Sequence, residues 1–239
     1  MTKGTLYILA TPIGNLEDIT LRNIRIFKTV KNLACEDTRT TISLLKKLEI
    51  PLPKNIFAYH EHNEIRSSEG ILKLLEAGED VALCTDAGTP GVSDPGFRAI
   101  SLAATKGIKI EVCPGASSVT TALIASGLSS SSYTFKGFPP RKSGGRKSFF
   151  AAEKDLPHTL IFFESKFRII KTLEDAYSVL GNRSAAVCLE LTKQFETVHR
   201  GYLKELKETI KTADLRGEIT VVIAGNNPKF LGDTSAEED

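Results

Sequence analysis

Val81-Ala-Leu-Cys84 is an unbroken apolar run, and Thr85-Asp-Ala-Gly-Thr-Pro-Gly-Val-Ser-Asp-Pro-Gly96 follows it directly. The run reads as a strand buried on both faces, and a helix is expected to begin near Phe97. Between them Gly88, Gly91 and Gly96 are interleaved with Pro90 and Pro95. Glycine admits positive φ and lets a ligand approach bare backbone, while proline fixes the neighbouring dihedrals. A loop stiffened in this way, at the carboxyl end of a parallel strand, stands where open α/β sheets bind their ligands. An ordinary turn draws on the same residue types, so the meaning of the loop depends on its surroundings.

On the N-terminal side the chain repeats one unit. Apolar runs near residues 4–11, 32–35 and 55–58 each end in a polar or Gly/Pro loop and lead into a stretch of helical periodicity. Those loops are Pro12-Ile-Gly-Asn-Leu16, Glu36-Asp-Thr-Arg39 and Tyr59-His-Glu-His-Asn63. After the central strand and its helix comes a fifth run, Lys109-Ile-Glu-Val-Cys113, ending in Pro114-Gly-Ala-Ser-Ser118. Five strands alternating with helices imply a parallel sheet of right-handed crossovers, with all five loops on one edge. On the C-terminal side strands near 133–138, 158–163, 184–191, 197–201 and 218–224 follow one another with fewer helices between them. A mixed, partly antiparallel sheet is expected there. The reading is thus two α/β domains, 1–115 and 116–239, with residues 127–132, rich in serine, as the linker candidate and a disordered acidic tail from about residue 230.

The 239 residues suffice for two cores, and 41% hydrophobic with 25% charged residues is the composition of a folded, soluble protein. No apolar run reaches membrane-spanning length, and nothing at the N-terminus reads as a signal peptide. Cys35, Cys84, Cys113 and Cys188 are scattered, three of them closing apolar runs, as expected of reduced thiols in a cytoplasmic protein. No metal site is expected, because no Cys or His pair has ligand spacing on a helix; His60 and His62 read as loop residues. A net charge of +2 excludes nothing about partners, but Arg141-Lys-Ser-Gly-Gly-Arg-Lys147 is a dense basic cluster in what reads as a flexible loop. Such a cluster suits phosphate contacts, which position a nucleic acid without reading its sequence.

The usual dinucleotide and P-loop glycine signatures are absent, as is a serine-nucleophile elbow. What remains is a set of backbone-rich loops suited to chemistry carried by a bound cofactor. Thr11-Pro-Ile-Gly-Asn-Leu16, Glu36-Asp-Thr-Arg39, Tyr59-His-Glu-His-Asn63, Ser93-Asp-Pro-Gly96, Gly137-Phe-Pro-Pro-Arg141, Phe163-Glu-Ser165 and Glu190-Leu-Thr-Lys193 occur in that order. Together they resemble the ribosomal RNA methyltransferases of the tetrapyrrole methylase superfamily, over nearly the whole chain. The resemblance implies a homodimer of two-domain subunits, with S-adenosylmethionine bound in the cleft between the two domains. It also implies 2′-O-methylation of a cytidine ribose in 16S, that is small-subunit, ribosomal RNA.

Carried over position by position, the resemblance assigns the donor to Pro12, Asp86, Gly88, Thr89, Val92, Ser117, Ser118, Phe163, Leu191 and Thr220. A ribose hydroxyl is a weak acid, so a base or an electrostatic aid is expected. The candidates are Glu36, Asp37, Glu164 and Glu190 as bases and Lys193 as a stabiliser of a developing alkoxide; each could equally serve as a helix cap or ion-pair partner. Arg39, Arg141, Lys142, Arg146, Lys147 and Arg168 are the expected RNA contacts. The chain has Pro-Gly-Ala-Ser where relatives commonly have Pro-Gly-Pro-Ser, and Lys166-Phe167 where many have a histidine before the arginine, so a catalytic histidine there is not expected. A same-fold methyltransferase of a small molecule such as a tetrapyrrole is the nearest alternative. A non-catalytic RNA- or nucleotide-binding module is the alternative from another class.

Overall fold

The computed structural model describes residues 2–227; the expected acidic tail lies outside them. The chain divides into two compact units after Ser117.

In the first unit the strands are β1 (Thr5–Leu9), β2 (Asn32–Cys35), β3 (Asn55–Ala58), β4 (Val81–Cys84) and β5 (Lys109–Cys113). They alternate with α1 (Leu21–Thr29), α2 (Thr38–Lys47), α3 (Glu64–Glu76) and α4 (Phe97–Thr105). The sheet is fully parallel in the order β3-β2-β4-β1-β5. Strand period two explains its two cores. Leu6, Ile8, Ala34, Val81 and Leu83 pack with Ile71, Leu75, Ala99 and Ala103 of α3 and α4. Leu9, Leu33, Cys35, Ala82 and Cys84 face Ile26, Phe27 and Leu45 of α1 and α2. β1 and β4 are neighbours whose onward connections run toward opposite sheet edges, so the loops after them open the crevice typical of this architecture.

The second unit contains α5 (Ser118–Ser126), β6 (Tyr133–Phe135), α6 (Ser143–Ala151), β7 (Thr159–Ser165), α7 (Ile169–Leu180), β8 (Ser184–Leu189), β9 (Thr197–Tyr202), α8 (Leu203–Thr212) and β10 (Glu218–Ile223). Its sheet runs β6-β7-β10-β8-β9, parallel only between β6 and β7. The serine run falls inside this unit: Thr159 N donates to Ser132 O at 3.0 Å and Thr159 Oγ1 to Ser129 O at 2.7 Å.

One element departs from the sequence reading. The basic stretch expected to be a flexible loop is largely helix α6, despite Gly144 and Gly145. Gly145 is there for space, since a Cβ at that position would stand 2.9 Å from Pro140 Cβ. Arg146 and Phe150 are spaced i,i+4 and both buried, which is the inward face of the helix.

Candidate functional site

The loop after β4 is fastened to the loop after β1. Thr11 N donates to Gly88 O at 2.8 Å and Gly88 N donates to Thr11 O at 3.1 Å, an isolated antiparallel bridge. Gly88 takes φ 78° and Gly91 φ 84°, conformations that L side chains rarely adopt, and Ser93 is held at φ 62°. A Cβ on Gly88 would meet only Ile13 Cγ2 at 3.8 Å, so glycine is used there for its backbone angle and not for protein packing. Gly96 closes the loop at φ 149°, where a Cβ would come within 2.8 Å of the Gly91 nitrogen.

The far end of the loop is held by residues whose role sequence reasoning missed. Tyr59 is fully buried at the end of β3. Its hydroxyl lies 2.9 Å from Glu64 Oε1 and accepts from the Ala99 amide at 3.2 Å. Glu64 Oε1 also accepts from the Gly96 and Arg98 amides, each at 3.3 Å, so a carboxylate caps the N-terminus of α4 where Gly96 has no side chain to do it. Burial pushes the Tyr59 hydroxyl up to about 12, which keeps it protonated as a hydrogen-bond donor. The legible signal was a tyrosine closing an apolar strand, since a buried phenol needs a partner.

Three carboxylates gather at the ends of β2 and β4. Asp37 N donates to Asp86 Oδ1 and Asp86 N to Glu36 Oε2, both at 3.2 Å. Partial burial first, and the neighbouring charges of Glu36 and Asp37 after it, raise the Asp86 carboxyl above its ordinary value. Asp37 is moved the other way, to about 2, chiefly by its hydrogen bonds from the Arg39 side chain and amide. It caps α2 and pairs with Arg39 Nη2 at 2.6 Å, so it is a weaker base than a free carboxylate. Pro12 and Thr89 are half-buried, Val92 and Asp86 are exposed, and Ser117 ends the unit half-buried.

A cavity of about 510 Å³ opens in the same unit, lined by Glu36, His60, Glu61, His62, Asp94 and Phe97 among others. Its lining includes no Lys or Arg.

In the second unit Phe163 and Thr220 lie on the adjacent strands β7 and β10, and Leu191 lies just after β8, the next strand of the sheet. Phe163 and Thr220 are direct cross-strand partners, and Phe163 stacks its edge against Phe135 and Phe138 at centroid distances of 4.8 and 5.5 Å. Leu191 and Thr220 are buried, and Ser118 is half-buried at the start of α5. Glu164 is wholly occupied by the fold. It pairs with Arg168 at 2.6 Å and accepts from Thr172 Oγ1 and the Ser165 amide, each at 2.7 Å. This arrangement pairs Glu164 with Arg168 and leaves the Glu164 carboxylate buried, while the Arg168 guanidinium keeps part of its surface exposed. Glu190 pairs with Lys193 at 2.9 Å, and that hydrogen bond lowers its carboxyl. Burial alone would lower the Lys193 ammonium, but Glu190 and Glu218 outweigh it and hold the group above its usual value.

Arg146 does not lie on a basic surface. It is 5% exposed, with Nε donating to Asp175 Oδ2 at 2.8 Å and Nη1 to Arg141 O at 2.6 Å. The reason is its place on α6, one turn before Phe150 on the face packed against α7. Arg39, Arg141, Lys142 and Lys147 are exposed. All four cysteines are free and buried, and burial raises their thiols above the ordinary value. Among the described residues no group of three or more side chains could hold a metal ion, and no helix is long and apolar enough to cross a membrane.

Comparison with known proteins agrees with this architecture. Residues 5–207 match the family model described as Tetrapyrrole (Corrin/Porphyrin) Methylases. Ribosomal RNA small subunit methyltransferase I of Halalkalibacterium halodurans is 43% identical over 227 residues, covering 95% of this chain and 78% of that protein. The solved cobalt precorrin-4 methyltransferase CbiF superposes with a TM-score of 0.67 at 17% identity, covering 92% of this chain and 94% of its own. The uroporphyrin-III C-methyltransferase of Thermus thermophilus, solved with S-adenosyl homocysteine, gives a TM-score of 0.60 at 18% identity, over 92% and 97% of the two chains. The match over most of the chain, together with the fold and the glycine-built loop at its strand edge, shows that this chain belongs to the tetrapyrrole methylase family and, within it, to the ribosomal RNA small subunit methyltransferase I group.

Proposed function

We propose that this protein is an S-adenosylmethionine-dependent methyltransferase acting on the 2′-hydroxyl of a cytidine in small-subunit ribosomal RNA. The observation that carries the methyl-donor part is the loop pinned at the Thr11–Gly88 bridge, which presents bare backbone beside the Asp86 carboxylate. A cationic sulfonium compound with ribose hydroxyls and an ammonium group fits an anionic, hydrogen-bonding wall of this kind. When bound, S-adenosylmethionine supplies an electrophilic methyl group. In the first unit Pro12, Asp86, Gly88, Thr89, Val92 and Ser117 are the residues proposed to hold the donor. In the second unit the residues proposed for this are Ser118, Phe163, Leu191 and Thr220. The work of these residues is to bind and orient, since alignment of the reacting atoms supplies much of such a rate enhancement.

Removal of the ribose proton calls for a base, and the local geometry ranks the candidates. Asp37 and Glu190 are lowered by their cations, and Glu164 is buried in its own pairings. Asp86, named from sequence only as a donor ligand, is raised, the direction that makes a carboxylate a better proton acceptor near neutrality. Asp86, with Glu36 beside it, is therefore the preferred proton acceptor in this reading. Lys193, held charged, is the preferred stabiliser of developing negative charge.

RNA is favoured over a tetrapyrrole by the similarity of this chain to named ribosomal RNA methyltransferases. The protein is further proposed to act in the cytoplasm as a homodimer, which sedimentation at micromolar concentration tests. The deciding experiment incubates it with labelled S-adenosylmethionine and small ribosomal subunits from cells lacking it, followed by mass spectrometry of the RNA. A new ribose methyl on one cytidine is the expected result. Labelling of a tetrapyrrole precursor instead, with none of RNA, would overturn it.

A further inference from the structure

A methyltransferase that acts on one cytidine must distinguish that base from the others, an inference that rests on the RNA reading above. The geometry points to the cavity of the first unit as the pocket for the acceptor cytosine, with Phe97 as the surface on which it stacks and Glu61 as the reader of its exocyclic amine. The cavity, at about 510 Å³, is within the range of small-molecule sites and has room for an unstacked pyrimidine nucleoside.

The chemistry of the walls selects the ligand. With Glu36, Glu61, Glu64 and Asp94 and no Lys or Arg in the lining, the cavity repels phosphate and suits a group that donates hydrogen bonds. Cytosine carries such a donor in its N4 amine, and acidic side chains accept from it in nucleic-acid complexes. Uracil carries an oxygen at the same place, which a carboxylate repels. Glu61 is exposed and has no hydrogen-bond or ion-pair partner among the described residues, in contrast to Glu64, which is engaged by Tyr59 and the α4 amides.

Two further observations converge on the same cavity. Phe97, the first residue of α4, is 74% exposed although it borders the cavity. Unstacked RNA bases commonly rest on aromatic rings placed in this way. His60 Nδ1 is buried and has no hydrogen-bond partner among the described residues. Nearly all buried polar atoms in folded proteins are paired, so this one is an exception on a ring that lines the cavity. The position is also right for the chemistry. Ser93 and Asp94 of the central loop form part of the wall, and so does Glu36, which accepts from the Asp86 amide.

The test uses Phe97→Ala and Glu61→Gln in the full chain, with unmethylated small subunits carrying either cytidine or uridine at the target position. Both side chains are exposed and make no structural hydrogen bond, so both variants are expected to fold and to bind S-adenosylmethionine in calorimetry as the parent does. Phe97→Ala should lower kcat/KM for the cytidine substrate by roughly five- to a hundredfold. Glu61→Gln should narrow the cytidine-over-uridine preference by about fivefold or more, because an amide also donates to the uracil oxygen. Parental kcat/KM and parental base preference in both variants, with the parent active on RNA, would refute the pocket and leave the RNA reading intact. A parent that methylates neither RNA refutes the RNA reading, and the pocket with it.

Discussion

Arg146→Ala separates the fold from the RNA surface. The guanidinium donates through Nε and Nη2 to Asp175 Oδ2, at 2.8 and 2.7 Å, and through Nη1 to Arg141 O at 2.6 Å. Truncation leaves the Asp175 carboxylate buried, with the Ser143 hydroxyl at 2.8 Å as its remaining partner shown here. Stranding one half of a buried ion pair costs about 3–5 kcal/mol, a large share of the roughly 5–15 kcal/mol that holds a domain folded. At about 4 °C per kcal/mol for a domain of this size, the second unit should melt roughly 12–20 °C lower. Arg146→Met combined with Asp175→Leu should recover most of the loss, because an apolar pair replaces a buried ion pair at little cost. Lys142→Ala and Lys147→Ala, at exposed positions, should change stability by less than about 0.5 kcal/mol. The assay is urea denaturation followed by circular dichroism, paired with RNA binding across a salt series. An Arg146→Ala protein as stable as the parent but weaker on RNA would refute the reasoning and return Arg146 to the surface.

The remaining expectations concern the loop, the carboxylates and the exposed cations. Gly88→Val should fold at a strain of about 1–2 kcal/mol, since its Cβ meets only Ile13, yet bind S-adenosylmethionine more weakly; unchanged affinity by calorimetry removes the loop from the donor site. Gly96→Ala should lose more stability than Gly88→Ala, because its Cβ would come 2.8 Å from the Gly91 nitrogen, and equal melts contradict this. Asp86 has a raised folded-state value, so its ionisation opposes folding: the penalty is absent below the unfolded value of 3.8 and fully present above the folded one. Asp86→Asn should therefore melt higher than the parent at neutral pH and level with it near pH 3, while donor affinity falls; a difference independent of pH argues against the assignment. Replacing Arg141, Lys142 and Lys147 together should weaken RNA binding and reduce the salt slope by about 2–3, with an unchanged slope showing that these cations do not touch phosphate.

Much of this protein is local and therefore legible in the chain. The alternation of apolar runs with helical periodicity marked five βαβ strands, and the clustering of Gly88, Gly91 and Gly96 with two prolines marked the loop, because a positive φ leaves its trace in residue choice. The order β3-β2-β4-β1-β5 was not legible, since which strands become neighbours depends on the path of each crossover and not on the strand's own pattern. Pairings between distant elements were hidden for the same reason. Nothing near Arg146 announces that α7 will bring Asp175 against it, and a basic run with two glycines reads as a loop until Phe150 and Arg146 are seen to share a buried face. The Tyr59-His-Glu-His-Asn63 motif shows the limit most clearly. Its residues stood out by type, but only the tertiary structure divides them, with Tyr59 buried to brace α4 while His60, Glu61 and His62 line a cavity. The roles of polar side chains follow from burial and from the partners burial supplies, and both are set when the whole chain has closed around them.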